Sequence, residues 1–131
     1  MIRSVVSSAG HVETLRRVLD AIARRGLSVF AQIDHAAAAR NVGMELADEV
    51  VVVFGNPRAG TPLMQQDPRI GIELPLRLLV WDRGNETMVG YNDPRDLANT
   101  YDVTAQSATL DAMSSLLDQI ANEAAVAAAS S

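Results

Sequence analysis

Cysteine is absent from the 131-residue sequence, which removes disulfides, thiolate metal sites, cysteine nucleophiles and thioether haem attachment together. That absence fits a reducing compartment, and a cytoplasmic location is expected. Lysine is absent as well. All 11 cationic residues are arginine, a pattern that GC-rich codon usage also produces, so no guanidinium-specific chemistry follows from it. Aromatic residues make up 4% of the chain, too few for a series of stacking platforms, and Trp81 reads as packing. With 16 acidic residues against the 11 arginines the net charge is −5, the wrong sign for a protein that neutralises phosphate backbones, so nucleic acid is not an expected partner. Long apolar runs are missing too: Val50 to Phe54 and Leu78 to Trp81 fall far short of the roughly 20 residues a bilayer-spanning helix needs. A soluble chain without a membrane partner is expected.

What is present is material for a core. Hydrophobic residues are 48% of the chain, ample for one domain over residues 1–131. Ile2 to Ser7 is short and β-branched, a first strand. Val12, Leu15, Val18, Leu19 and Ile22 then recur at helical spacing until Gly26. Leu27 to Ile33 alternates as a second strand, and Ala36 to Val42 has room for a two-turn helix. Glu49 to Phe54 reads as a strand buried on both faces and therefore as the sheet centre. Thr61-Pro62 resembles an N-cap followed by a first-turn proline. Leu76 to Asp82 and Thr87 to Tyr91 flank Arg83-Gly84-Asn85-Glu86 as a hairpin. Asp93-Pro94 opens a brief helix, and Leu110, Met113, Leu117, Ile120 and Ala124 mark the apolar stripe of a last one, with the alanine-rich remainder from about residue 125 expected to fray. The order is strand, helix, four strands, helix. Clustered strands do not give a doubly wound fold, so the prediction is an α+β two-layer sandwich, β-α-β4-α, with a mostly antiparallel sheet and helices on one face.

Two segments carry chemistry. Gly55 to Thr61 joins a strand to a helix start through two glycines, a geometry that can aim backbone N–H groups at an anion, with Asn56, Arg58, Gly60 and Thr61 as contacts. The plain alternative is that Gly55, Pro57 and Gly60 shape a tight connection. Gly55 and Gly60 have the spacing of a Walker-type phosphate loop, but Thr61 stands where that loop needs lysine, and no cofactor is expected. Asp34-His35 is the second segment. A carboxylate beside an imidazole can orient it or move a proton, while aspartate at that place is also a natural N-cap. His35 reads as a satisfied histidine or as a pocket-lining one. His11 and His35 are the only histidines, too few with scattered carboxylates for an expected metal site. No Gly-x-Ser-x-Gly elbow is present. Paired Asp48-Glu49 reads as solvated charge, and Met64, Met88 and Met113 as core filler.

Ile33 to Ala39 (IDHAAAA), Phe54 to Met64 (FGNPRAGTPLM), Leu74 to Arg77 (LPLR) and Tyr91 to Pro94 (YNDP) resemble the domain of unknown function 302 family, and the likeness extends over most of residues 4–125. The resemblance implies a β-α-β4-α sandwich, often dimeric, with no settled activity. Three functional expectations follow. The first is a homodimeric domain that binds or senses a small, anionic molecule between the Gly55–Thr61 loop and Asp34-His35. The second is an enzyme using Asp34 and His35 as an acid–base pair. The third is a structural or protein-interaction module without a ligand.

Overall fold

In the computed structural model, which describes residues 1–126, the chain forms five strands and four helices joined by three short 3-10 turns. The strands are β1 (Ile2–Val6), β2 (Ser28–Asp34), β3 (Glu49–Gly55), β4 (Leu76–Arg83) and β5 (Glu86–Asn92). The helices are α1 (His11–Arg24), α2 (His35–Asn41), α3 (Pro57–Gln66) and α4 (Ser107–Ala125). All neighbours in the single sheet are antiparallel, in the order β1-β5-β4-β3-β2. This is the expected α+β sandwich. The expected fraying of the tail concerns residues 127–131, outside the described residues.

Register explains the core. Directly opposed residues share a face of an antiparallel sheet, and the row Val5, Val89, Val80, Val50 is such a set. With Val52, Phe54 and Leu78 it forms a buried floor, on which Val18 and Ile22 of α1 and Leu110, Leu117 and Ile120 of α4 pack. The α4 stripe read from the sequence is buried at every position. In α1 the stripe lies differently: Val12 is 81% exposed, and Thr14 takes the inward place beside Val18. Thr14 can be buried because its hydroxyl bonds Ser7 Oγ at 2.6 Å, leaving no orphaned polar atom there.

Two strand assignments differ from expectation. β4, not β3, is central, and Val51 and Val53 on the far face of β3 are only half-buried. β2 is an edge strand exposed at all seven positions, so its alternation faces no second layer. On the far face the indole of Trp81 lies over Gly90, where a Cβ would come within 2.9 Å of the ring. The tryptophan is a packing residue, as read. The β4–β5 hairpin closes through Gly84 at φ +61 with Arg83 opposite Glu86, a conformation that favours glycine.

Candidate functional site

The expected pairing of the two chemical segments fails on register. Asp34 lies opposite Val50, whereas Gly55 lies opposite Ser28. Asp34-His35 and the Gly55–Thr61 segment therefore leave β2 and β3 at opposite ends of their ladder, about 17 Å apart at the usual rise per residue. They do not line a common pocket. The Asp34 carboxylate accepts from the Ala37 N–H at 2.8 Å and caps α2, while His35 is exposed as the first residue of that helix. The capping alternative for Asp34 holds.

The Gly55–Thr61 segment is also built differently. Its helix starts four residues before the expected cap: Asn56, not Thr61, is the N-cap of α3, and Pro57 takes the first helical position. Proline there costs nothing because that N–H has no helical partner. Asn56 Oδ1 accepts from the Arg58 N–H at 3.0 Å, and the Asn56 carbonyl accepts from Ala59 at 3.0 Å and Gly60 at 3.3 Å. The donors that an anion would need are thus turned inward. Pro62 falls inside the helix, depriving the Arg58 carbonyl of its usual donor four residues on. Arg58 and Thr61 are exposed.

What the segment does border is a cavity of about 440 Å³. Gly55, Asn56, Pro57, Ala59, Gly60 and Thr61 form one wall, and Leu74, Pro75 and Leu76 another. Met113 and Leu116 of α4 and Leu27 and Phe30 at the start of β2 complete it. Leu76 and Met113 are buried at its base, while Phe30 and Met64 are 53% and 37% exposed at its lip. Gly60 and Gly71 keep it open: a Cβ on either would meet Leu74 or Met64 only at 3.4 to 3.6 Å. No titratable side chain is among the lining residues, so the lining is hydrocarbon with an amide and a hydroxyl at its edge. A volume in this range suits a small organic molecule with few polar groups.

Of the sequence-read candidates, Asn56, Gly60 and Thr61 line this cavity, and Arg58, Asp34 and His35 do not. Met64 is a lining residue and not core filler, whereas Met88 and Met113 are buried as read. Phe30, Leu74, Pro75 and Leu116 were missed. Only the exposed Phe30, out of phase in the alternation of β2, carried a signal: the register slips between Val29 and Ala31, and the bulge turns that ring toward the loop.

Near the 3-10 turns, two buried carboxylates act structurally. Asp67 accepts from the Arg69 and Asp102 N–H groups and pairs with the Arg69 guanidinium at 2.8 Å. Asp93 pairs with Arg95 at 2.7 Å and Arg3 at 3.2 Å. The side-chain hydrogen bonds from Arg69 and Arg95 respectively hold both carboxyls well below the usual carboxylate range. They fasten turns, and Asp93 also lines a recess of about 120 Å³, much smaller than the cavity beside α3.

Comparison with known proteins gives a fold and a family. A family model described as "Domain of unknown function DUF302" matches residues 3–120. A crystal structure of an uncharacterized conserved DUF302 protein from Bacillus stearothermophilus superposes with a TM-score of 0.85 at 19% identity, covering 94% of this chain and 97% of that one. Such identity speaks for the fold alone. Among curated proteins, "Fluoride-specific ion channel FluC 1" of Brucella suis biovar 1 is 36% identical over 105 residues, which are 79% of this chain and 41% of the relative. Its Brucella abortus biovar 1 namesake is 36% identical over 39% of its own length. The chain thus spans about 40% of the curated relatives it matches. No helix among the described residues is long and apolar enough to cross a membrane.

Proposed function

Because the chain belongs to the DUF302 family, whose description assigns no activity, we propose from its own geometry that it is a binding domain for a small, largely apolar molecule. The carrying observation is the 440 Å³ cavity beside the Gly55–Thr61 segment. The ligand class expected from the sequence, an anion, is replaced by a neutral or amphipathic one, because the N–H groups of Arg58, Ala59 and Gly60 are engaged internally. Asn56 and Thr61 supply the orienting polar edge. Binding is measured by the enhanced fluorescence of a neutral solvatochromic dye, displaced by n-hexanol or indole. A leucine at Gly60 fills the space from within α3 and is expected to abolish the signal. Dye binding unchanged in Gly60→Leu would remove the cavity as the site.

The homodimer belongs to the same proposal. β2 has an unpaired edge carrying Val29, Phe30 and Ile33 at 40 to 53% exposure, a template for strand addition about a two-fold axis. Phe30 sits both on that edge and at the cavity lip, so pairing would shelter the mouth.

A second reading draws on the curated relatives: this domain serves fluoride handling as a folded partner of a channel. The 36% identity to a fluoride-specific channel favours it. Fluoride-19 NMR of the protein titrated with sodium fluoride would show line broadening if the domain itself takes the ion. The inward-turned donors of α3 argue that it does not. An enzymatic role for Asp34 and His35 has little support, since the carboxylate is occupied as a cap and the imidazole lies outside any cavity described.

A further inference from the structure

At the end of the sheet away from the cavity, three ligand-type side chains meet. His11 begins α1, Asp48 directly precedes β3, and Asp82 is the seventh residue of β4. One ligand atom from each can be chosen so that all lie within 4.8 Å of one another. Asp48 and Asp82 are cross-strand neighbours, with the Asp82 N–H donating to the Asp48 carbonyl at 2.9 Å. Like charges so placed repel and destabilise the pair unless something positive sits between them. No arginine forms an ion pair with either carboxylate among the described residues; the group facing Asp82 is His11.

The imidazole is the second and independent observation. Its side chain is only 10% exposed, and its Nδ1 is buried with no hydrogen-bond partner. That nitrogen aims at Asp82 Oδ1 from 3.7 Å, too far for a hydrogen bond. Two ligands of one tetrahedral zinc-sized ion stand about 3.4 Å apart, given metal–nitrogen and metal–oxygen bonds near 2.0–2.2 Å. The observed gap is therefore close to that of two groups sharing a cation. Thr87 completes the arrangement: buried on β5, it donates its hydroxyl to Asp82 Oδ1 at 2.8 Å, the kind of outer contact that fixes a ligating carboxylate.

We propose that His11, Asp48 and Asp82 form a site for a divalent first-row transition ion of the zinc type, with Thr87 orienting Asp82 and water completing the coordination. A neutral imidazole with two carboxylates suits such an ion better than magnesium or calcium, which prefer all-oxygen sites. The site joins the start of α1 to β3 and β4, so occupancy ties the helix layer to the sheet.

The test uses the untagged full chain, which has no cysteine and only two histidines and thus little background. Isothermal titration with zinc chloride is expected to show one saturable site, with magnesium and calcium chloride giving none. Asp48→Asn, at an exposed position that the fold tolerates, and His11→Gln should each weaken zinc binding by more than about 100-fold, and Thr87→Val by about 10- to 100-fold. His35→Gln should leave it unchanged. No saturable zinc site, equal response to magnesium, retention of affinity in Asp48→Asn, or loss in His35→Gln would each overturn the assignment.

Discussion

Gly60 offers a test in which stability and binding move in opposite directions. It is the fourth residue of α3, and a Cβ built there meets Leu74 Cδ1 at 3.6 Å and Met64 Cε at 3.9 Å, both ordinary contacts. Glycine inside a helix costs about 0.5–1 kcal/mol relative to alanine through its greater freedom in the unfolded chain, so Gly60→Ala should stabilise by that amount. For a domain of this size the midpoint of thermal unfolding should rise by about 2–4 °C. Leucine adds three further carbons, directed at the cavity. At about 0.8 kcal/mol per buried carbon they contribute about 2 kcal/mol if fully covered, against about 0.5–1 kcal/mol of lost rotamer freedom. Gly60→Leu should therefore be at least as stable as the alanine variant in urea unfolding at unchanged m-value, yet bind no neutral dye. A leucine variant less stable than wild type by more than about 1 kcal/mol would refute the reasoning, since that is the signature of forcing atoms into space already filled.

Other substitutions probe the scaffold. Gly90→Ala drives a methyl group to within 2.9 Å of the Trp81 ring and 3.0 Å of the Arg3 carbonyl, and should cost about 1–3 kcal/mol in urea unfolding, with altered Trp81 fluorescence. Phe30→Glu places a charge on the β2 edge; if the proposed edge pairing holds, light scattering should find a dimer for the wild type and a monomer for the variant, and a wild-type monomer at all concentrations would end the pairing idea. Asp67 and Asp93 have lowered folded-state pKa values. Their contribution is present in full above the unfolded carboxylate range near pH 4 and is lost as pH falls through the lowered folded values. Double replacement by asparagine should lower stability at neutral pH and flatten the acid limb of the stability curve below about pH 5, measured by thermal unfolding across pH.

How far the sequence could be read follows the range of the forces involved. The α4 stripe and the β4–β5 hairpin rest on local periodicity and one turn, and both stand as read. The start of α3 was misplaced because Asn56-Pro57 and Thr61-Pro62 carry the same cap-then-proline signal five residues apart, and only the first is used. β3 looked central because its β-branched run does not reveal that Val51 and Val53 face a half-open surface. Asp34-His35 and Gly55–Thr61 seemed able to converge because each ends or begins a connection of the same strand pair. In an antiparallel ladder, however, the exit of one strand lies beside the entry of the next, which puts the two segments at opposite ends. The cavity was half legible: its glycine-bearing wall was visible, while Leu74, Pro75 and Met113 arrive through tertiary packing alone. The cluster of His11, Asp48 and Asp82 draws on residues up to 71 positions apart in the chain, and local pattern carries no trace of such a meeting.

The claim that an apolar cavity, and not an anion cradle, is the working site can be put to one measurement. In a nitrogen-15 correlation spectrum, the amides of Gly55, Gly60 and Gly71 report on the cavity wall. Titration with indole should move these three signals saturably, while inorganic phosphate leaves them in place. Phosphate moving them with indole inert would contradict the account, and so would the three signals staying still with both.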